Sequence, residues 1–315
     1  MKLIIQIPAF NEEETLPLTL SKLPKRIDGI SEIEVLIIDD GSTDNTVEVA
    51  KKHGAHHVVS AVQNQGLAKT FLLGLHTCLS KNADIIVNTD ADNQYNADDI
   101  EKLVKPIIEK KADIVIGERP IKSTQHFSIV KKLLQRLGSF VVRMLSDTHI
   151  QDAPSGFRAF SRRAALELNV FNNYTYTLET IIQAGKKGIP MMSVPIRTNR
   201  DERPSRLVKS IPTYIKRSII TMFRIFNTYR PLSFFVILGA IPLLAGIGIG
   251  TRWVVLFMGK GSALHIPSLI LTAILIILGM QIFIFGLVAD LISVNRQLLE
   301  DIQKKLRELY YRSES

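Results

Sequence analysis

Asp90 and Asp92 stand two residues apart, just after the apolar run Ile85-Ile86-Val87. If the chain stays extended, residues i and i+2 project to the same side, so both carboxylates would face one ligand. Acids repel phosphates, so a carboxylate pair at a nucleotide site implies a divalent cation. Hard oxygen donors suit Mg²⁺ or Mn²⁺ bridging a diphosphate. Other polar residues follow apolar runs in the same way. Asn11 and Glu12 come after residues 3–9, and Asp39 and Asp40 close the run Val35-Leu36-Ile37-Ile38. The sequence holds no G-x-G-x-x-G after its first apolar run and no G-x-x-x-x-G-K-[ST], which weighs against dinucleotide and P-loop chemistry. His56 and His57 open another short run without a third ligand at a metal spacing, so they read as core or surface residues.

The elements that must carry these residues alternate in period. Residues 3–9, 34–40, 57–61, 84–89 and 113–117 are short Val/Ile-rich runs, whereas 12–23, the stretch from 43, 66–79 and 97–109 show helical spacing. This alternation predicts an α/β domain with a mostly parallel sheet covered by helices on both faces. Ligands of such sheets bind beyond the C-terminal strand ends, where the acids fall.

Composition sets the outer bounds. Of 315 residues, 46% are apolar and 22% charged, with a net charge of +9. That apolar fraction excludes intrinsic disorder, and Cys78 as the sole cysteine excludes a disulfide scaffold. Residues 209–315 hold 12 basic and 5 acidic side chains, a net of +7, leaving +2 for residues 1–208. A near-neutral domain without a basic, aromatic-interleaved stripe argues against nucleic acid as a partner. Residues 231–251 and 261–289 contain no Asp, Glu, Lys or Arg, and ~20 apolar helical residues cross a bilayer. Two such spans form a hairpin, and the Lys/Arg excess outside it places both termini on the cytoplasmic side. Between them and the domain, Ile211, Ile215, Ile219, Met222, Phe223 and Phe226 recur at helical spacing among Lys216, Arg217 and Arg224, the pattern of an amphipathic helix on membrane lipids. The expected organisation is a cytoplasmic domain at 1–208, a juxtamembrane helix at 209–230, transmembrane helices at 231–257 and 266–292, and a cytoplasmic helix at 293–315.

Five segments then occur in order: Pro8-Ala9-Phe10-Asn11-Glu12, Ile38-Asp39-Asp40-Gly41-Ser42-Thr43-Asp44, Asn64-Gln65-Gly66, Asp90-Ala91-Asp92-Asn93-Gln94-Tyr95 and Asp152-Ala153-Pro154-Ser155-Gly156-Phe157-Arg158. Together they resemble the family 2 glycosyltransferases, and within them the polyprenyl-phosphate branch typified by dolichol-phosphate mannose synthase and bactoprenol glucosyltransferases. The resemblance covers about residues 3–208. It implies a GT-A fold, a UDP- or GDP-linked sugar donor, a divalent metal, inversion at the anomeric carbon and a polyprenyl monophosphate acceptor. Homo-oligomers, tetramers among them, also belong to that branch. A hydroxyl-directed membrane glycosyltransferase and a non-catalytic adaptor on the same scaffold are the alternatives. Two spans and the lack of a Q-x-x-R-W segment argue against a polymer exporter, and the intact acids argue against an adaptor.

By that resemblance, Pro8, Asn11 and Glu12 line the base and ribose pocket. Asp39 accepts from the base and Asp40 orients its loop, although residues 40–44 also suit a turn and N-cap. Asn64, Gly66 and Lys69 open a helix beside the donor, and a plain helix start explains Lys69 equally well. Asp90, Ala91 and Asp92 hold nucleotide and metal, with Gln94 at the sugar or a metal water. Asp152 falls on the acceptor side as candidate base, alongside Asp92 as a catalytic acid. A phosphate monoester, however, has its second pKa near ~6 and is largely ionised at neutral pH, so Asp152 could instead place the acceptor. Ser155, Arg158, Arg200, Ser205 and Arg206 map onto diphosphate and acceptor-phosphate contacts. Arg203 replaces the glycine, and Arg206 the lysine, of the family's R-x-x-G-x-S-K segment.

Overall fold

A computed structural model describes residues 1–120, 143, 146, 148, 150–170, 176–199, 229–260 and 266–313. They divide into two units, residues 1–218 with 301–315, and residues 219–300. In the first unit seven strands form one sheet: β1 (Lys2–Ala9), β2 (Glu32–Asp39), β3 (His57–Ser60), β4 (Ile85–Asn88), β5 (Ile114–Glu118), β6 (Arg158–Ser161) and β7 (Met191–Pro195), in the order β3-β2-β1-β4-β6-β5-β7. All pairs are parallel except β4–β6 and β5–β6, so β6 is inserted antiparallel between parallel neighbours. The expected mostly parallel sheet is therefore present, with two strands, β6 and β7, beyond the five that the apolar runs predict.

The β1–β2 register runs from Lys2 opposite Glu32 to Ala9 opposite Asp39. Strand β1 is buried on both faces, as a central strand of a covered sheet must be. Leu3, Ile5 and Ile7 pack with Leu16 and Leu20 of α1 (Leu16–Lys22), Ala50 of α2 (Thr46–Lys52), and Leu103, Val104 and Ile107 of α4 (Ile100–Ile108). On the other face α3 (Leu67–Ser80) sets Phe71 against Phe160 of β6, the strand that leads into α5 (Arg162–Glu167), and against Tyr176, which precedes α6 (Thr177–Lys186). Each fully buried Leu or Ile contributes roughly 1.5–3 kcal/mol. The first helix starts at Leu16, later than position 12, because residues 11–15 turn: Asn11 is left-handed with φ 54 and Leu16 N–H donates to Glu12 O.

Residues 219–300 contain α7 (Pro231–Lys260) and the first part of α8 (Ile266–Ser313). The helices touch backbone to backbone at Gly239 and Gly279: a Cβ on either would lie 2.9–3.0 Å from the other's carbonyl oxygen. Small residues permit such contact between apolar helices. Both helices are long and apolar enough to cross a membrane, with mean hydropathy 2.4 and 2.6 in windows only 11% and 17% buried. A soluble core helix would be mostly covered, and so much contiguous exposed apolar surface is foreign to soluble monomers. These helices are consistent with a membrane location.

Helix α8 runs unbroken through position 293, where a separate helix was expected. Its last residues belong to the first unit. Lys304 pairs with Glu167 at 2.6 Å, Arg307 donates to Leu168 O and Asn169 Oδ1, and the Tyr311 hydroxyl meets His76 Nδ1 of α3 at 2.9 Å. Leu298, Leu299, Ile302, Leu306 and Leu309 stay exposed. The juxtamembrane segment 209–228 lies outside the described residues.

Candidate active site

The strand ends converge as the sheet rule requires. After β1, Asn11 N–H donates to Ser42 Oγ and Asn11 Oδ1 accepts from Thr43 N–H, so the first two loops are laced together. Pro8, one residue before the end of β1, lies opposite Ile38. Glu12 is buried and occupied locally, its carboxylate accepting from the Thr15 hydroxyl at 2.6 Å. Asp39 and Asp40 end β2, both buried, and do different things. Asp39 accepts from Ser42 N–H through one oxygen. Asp40 spends both oxygens on the Gln65 and Gly66 N–H groups, at 2.8 and 2.9 Å, and so ties its loop to the start of α3. Directly after Asp40, Gly41 has φ +73, and a Cβ there would strike the Gln63 backbone at 2.7 Å. Only glycine fits that approach. Asn64 and Lys69 are exposed beside this start.

Asp90 and Asp92 follow β4, but the strand ends at Asn88 and does not carry them in extended form. Residues 91–93 turn, with Asn93 at φ 55, and Asp92 Oδ1 accepts from Gln94 N–H. Ala91 is buried and its carbonyl accepts from the Thr19 hydroxyl. The acid pair thus sits in a turn where an extended segment was expected, yet its members still face each other electrostatically. Burial, then repulsion from Asp92, pushes the Asp90 carboxyl up to about 7; Glu12 adds to this and Arg119 opposes it. Carboxylates so raised mark a site whose countercharge comes from elsewhere.

Asp152 is the opposite case. It is fully buried, and Arg119 grips it from two directions: Nε to Oδ2 at 2.7 Å and Nη2 to Oδ1 at 2.9 Å. The Arg119 N–H adds a third bond to Oδ2 at 3.2 Å. Burial opposes the Arg119 charge, but the hydrogen bond to Asp152, with Tyr95, Asp152 and Asp90 nearby, raises its pKa instead. This fork-to-fork pairing forms because Gly117 N–H bonds to Phe157 O, aligning the end of β5 with the segment before β6. The sequence reading missed Arg119. Its signal was available, since it follows a strand end as the acids do.

Ser155 and Arg158 do not open onto this site. Arg158 is fully buried and donates to the carbonyls of Ser155, Ala153 and Thr177 and to the Thr180 hydroxyl. Burial draws its pKa down to about 10. The expectation that it contacts phosphate fails because its guanidinium is consumed inside the fold. Ser155 is equally buried, and among the described residues its Oγ has no hydrogen-bond partner. Arg200, Ser205 and Arg206 lie outside the described residues. His57 pairs with Glu34 and His56 accepts from Val35 N–H, both away from the acids in sequence and role.

Among the described residues no group of three or more His, Cys, Asp or Glu could hold a metal alone. The available donors are Asp90 and Asp92, two hard carboxylates. Mg²⁺ is commonly bound by one or two carboxylates, with substrate phosphates and waters completing its shell. The donor set fits such an ion and does not fit a closed structural cage.

Residues 4–168 match the family model described as glycosyl transferase family 2. Glycosyltransferase AglJ of Haloferax volcanii is 28% identical over 95% of this chain and 97% of its own length. The UDP-N-acetylglucosamine–dolichyl-phosphate N-acetylglucosaminyltransferase of Methanococcus voltae is 31% identical over 61% of this chain and 83% of its own. The glucosyl-3-phosphoglycerate synthase of Mycobacterium tuberculosis, crystallised with Mn²⁺, UDP and its product, shares the fold with TM-score 0.56 and 21% identity over 70% of this chain and 79% of its own. With a GT-A sheet, its acids gathered at the strand ends and a family match across half its length, the chain belongs to glycosyl transferase family 2 and is a glycosyltransferase.

Proposed function

We propose that this enzyme moves a hexose from a UDP- or GDP-linked donor to a polyprenyl monophosphate at the cytoplasmic face of a membrane, inverting the anomeric carbon. The acid pair Asp90/Asp92, whose repulsion Arg119 does not cancel, carries the reading. Asp90 and Asp92 would hold Mg²⁺ or Mn²⁺. When bound, that ion neutralises charge developing on the departing diphosphate. The acceptor named for the Methanococcus voltae relative supports a lipid phosphate, and the Mn²⁺ and UDP of the Mycobacterium tuberculosis structure support a metal-assisted nucleotide donor.

The chain's own residues divide the remaining work. Pro8, Asn11 and Asp39 line the base and ribose pocket, and Asp40 shapes it by fixing the start of α3. Arg119 offers a cation to phosphate, and by the family resemblance Arg200, Ser205 and Arg206 contact the diphosphate and the acceptor phosphate. The acceptor phosphate is largely a dianion above its second pKa near ~6. One of its oxygens attacks the anomeric carbon, the carbon–oxygen bond to the diphosphate breaks, and no proton has to move. Asp152 is accordingly a positioning residue that holds Arg119, in place of a base that removes a proton.

Membranes containing the protein should pass label from one member of a nucleotide-sugar panel into organic solvent, and excess EDTA should stop it. Label that stays aqueous with every donor, or full activity in EDTA, overturns the reading. In a Cys78→Ser background, a Ser313→Cys probe should be shielded from external reagents. External labelling would reverse the proposed topology.

A further inference from the structure

The Asp90 carboxylate faces the open side of Gly156, where a side chain would stand. A Cβ built on Gly156 would lie 3.3 and 3.4 Å from its two oxygens. Among the described residues no hydrogen bond reaches those oxygens. The other acids of the site are held differently: Asp39 and Asp40 accept backbone N–H groups, and Asp152 accepts a guanidinium.

Gly156 is pinned on both sides by side chains that take no part in the chemistry. Its N–H donates to the Tyr95 hydroxyl at 3.1 Å. Its carbonyl accepts from Asn88 Nδ2 at 2.9 Å and from the Tyr176 hydroxyl at 3.3 Å, and Asn88 Nδ2 also donates to Tyr176 at 2.9 Å. Asn88 Oδ1 accepts in turn from Gln6 Nε2, which anchors the network in the central strand. All four side chains are buried. The rings are fixed as well, Tyr95 stacked on Phe157 with centroids 4.9 Å apart and Tyr176 on Phe71 at 3.9 Å. A buried network satisfied in this way is rigid.

We infer that Asn88, Tyr95 and Tyr176 are positioning residues for the divalent cation: they hold Gly156 beside Asp90, where only a residue without a side chain leaves the carboxylate uncrowded, and so keep both oxygens open to the ion. A hydrogen-bond donor would position the carboxylate too, but it would occupy a lone pair and draw off charge that the cation needs. Gly156, lacking a side chain, leaves both oxygens uncrowded. The inference rests on the metal reading above.

The test is Mn²⁺ binding by the purified full chain in detergent, read from loss of the free-ion EPR signal, with UDP and separately GDP present. Tyr95→Phe keeps the ring stack and removes the acceptor of the Gly156 N–H. Gly156→Ala adds a methyl against the Asp90 oxygens. Both should raise the apparent Kd for Mn²⁺ by about tenfold or more, the usual cost of losing an outer-shell partner. The metal-free unfolding midpoint of Tyr95→Phe should move only by the few degrees that one lost buried hydrogen bond explains. If Asp90→Asn abolishes Mn²⁺ binding but Tyr95→Phe stays within about twofold of the unsubstituted chain, the positioning role is overturned and the metal site stands. If the unsubstituted chain binds Mn²⁺ no better than Asp90→Asn, the metal reading falls and this inference with it.

Discussion

The two acidic corners of the site lie near each other in space and are neutralised in opposite ways. At one corner, Asp90 and Asp92 repel each other in a turn, and the Asp90 carboxyl is pushed up to about 7 by burial and by its neighbour. At the other, Asp152 is fully buried yet bound through both oxygens by Arg119. Burial by itself therefore does not identify a reactive acid. The first corner has an incomplete charge balance, which the proposed cation would complete. The second carries its counter-ion permanently, which makes it part of the framework. Arg119 joins them, since it pairs with Asp152 while its field lowers the pKa of Asp90.

The sharpest way to break this contrast is at the open corner. Asp92→Ala should cost at least ~10³-fold in turnover, because a bound metal supplies several kcal/mol of charge stabilisation. A transferase assay over a Mn²⁺ series checks it, and near-normal rates would put the two corners on an equal footing. At the closed corner the larger effect should be on stability. Arg119→Ala strands a buried carboxylate and should destabilise by ~3–5 kcal/mol. Arg119→Met with Asp152→Leu should recover much of that loss in denaturant unfolding, since a buried ion pair replaced by apolar groups is often near neutral.

Asp152→Asn tests the same corner through rate. It retains size and one acceptor for Arg119, so turnover should fall but persist above pH ~6 and decline as pH drops through the phosphate pKa. No turnover from pH 6 to 9 in a variant that still binds donor and metal would make Asp152 an indispensable base. The smallest effect concerns a third acid that resembles the closed corner away from the chemistry. Burial would raise the Asp99 carboxyl, but hydrogen bonds from the Arg197 side chain and backbone and from Lys102 hold it down to about 2. A depressed folded pKa gives stability that is fully present above the unfolded value near ~4 and is lost as pH falls toward about 2. Unfolding midpoints of the parent and Asp99→Asn should therefore differ at pH 7 and converge toward pH 2.

Much of this was legible along the chain. The alternating runs located β1 to β5 within a few residues, because side-chain period reports which faces are buried. The acids at the ends of β1, β2 and β4 marked the site by the strand-end rule. Asp40, open between a loop-orienting role and a plain turn, proves to be tied to Gln65 and Gly66. Strands β6 and β7 were missed, since Arg158–Ser161 and Met191–Pro195 carry no Val/Ile run of the kind that marks β1 to β5. The turn at 91–93 was also missed: i,i+2 spacing suits an extended strand, and only the end of β4 at Asn88 shows that the chain has already left it.

Sequence alone determined the class of the domain, the acid pair beyond β4 and the two apolar helices, because each depends on neighbouring residues or on residue type. It did not determine which charges cancel. Arg119 and Asp152 are 33 positions apart, and Arg158 could as well have faced phosphate as carbonyls. Those outcomes followed from the antiparallel insertion of β6, which brings the end of β5 beside Asp152 and turns Arg158 toward Thr177 and Thr180. Charge pairing acts over a few ångströms regardless of separation along the chain, so only the folded arrangement decides whether an acid is left for a ligand or already satisfied.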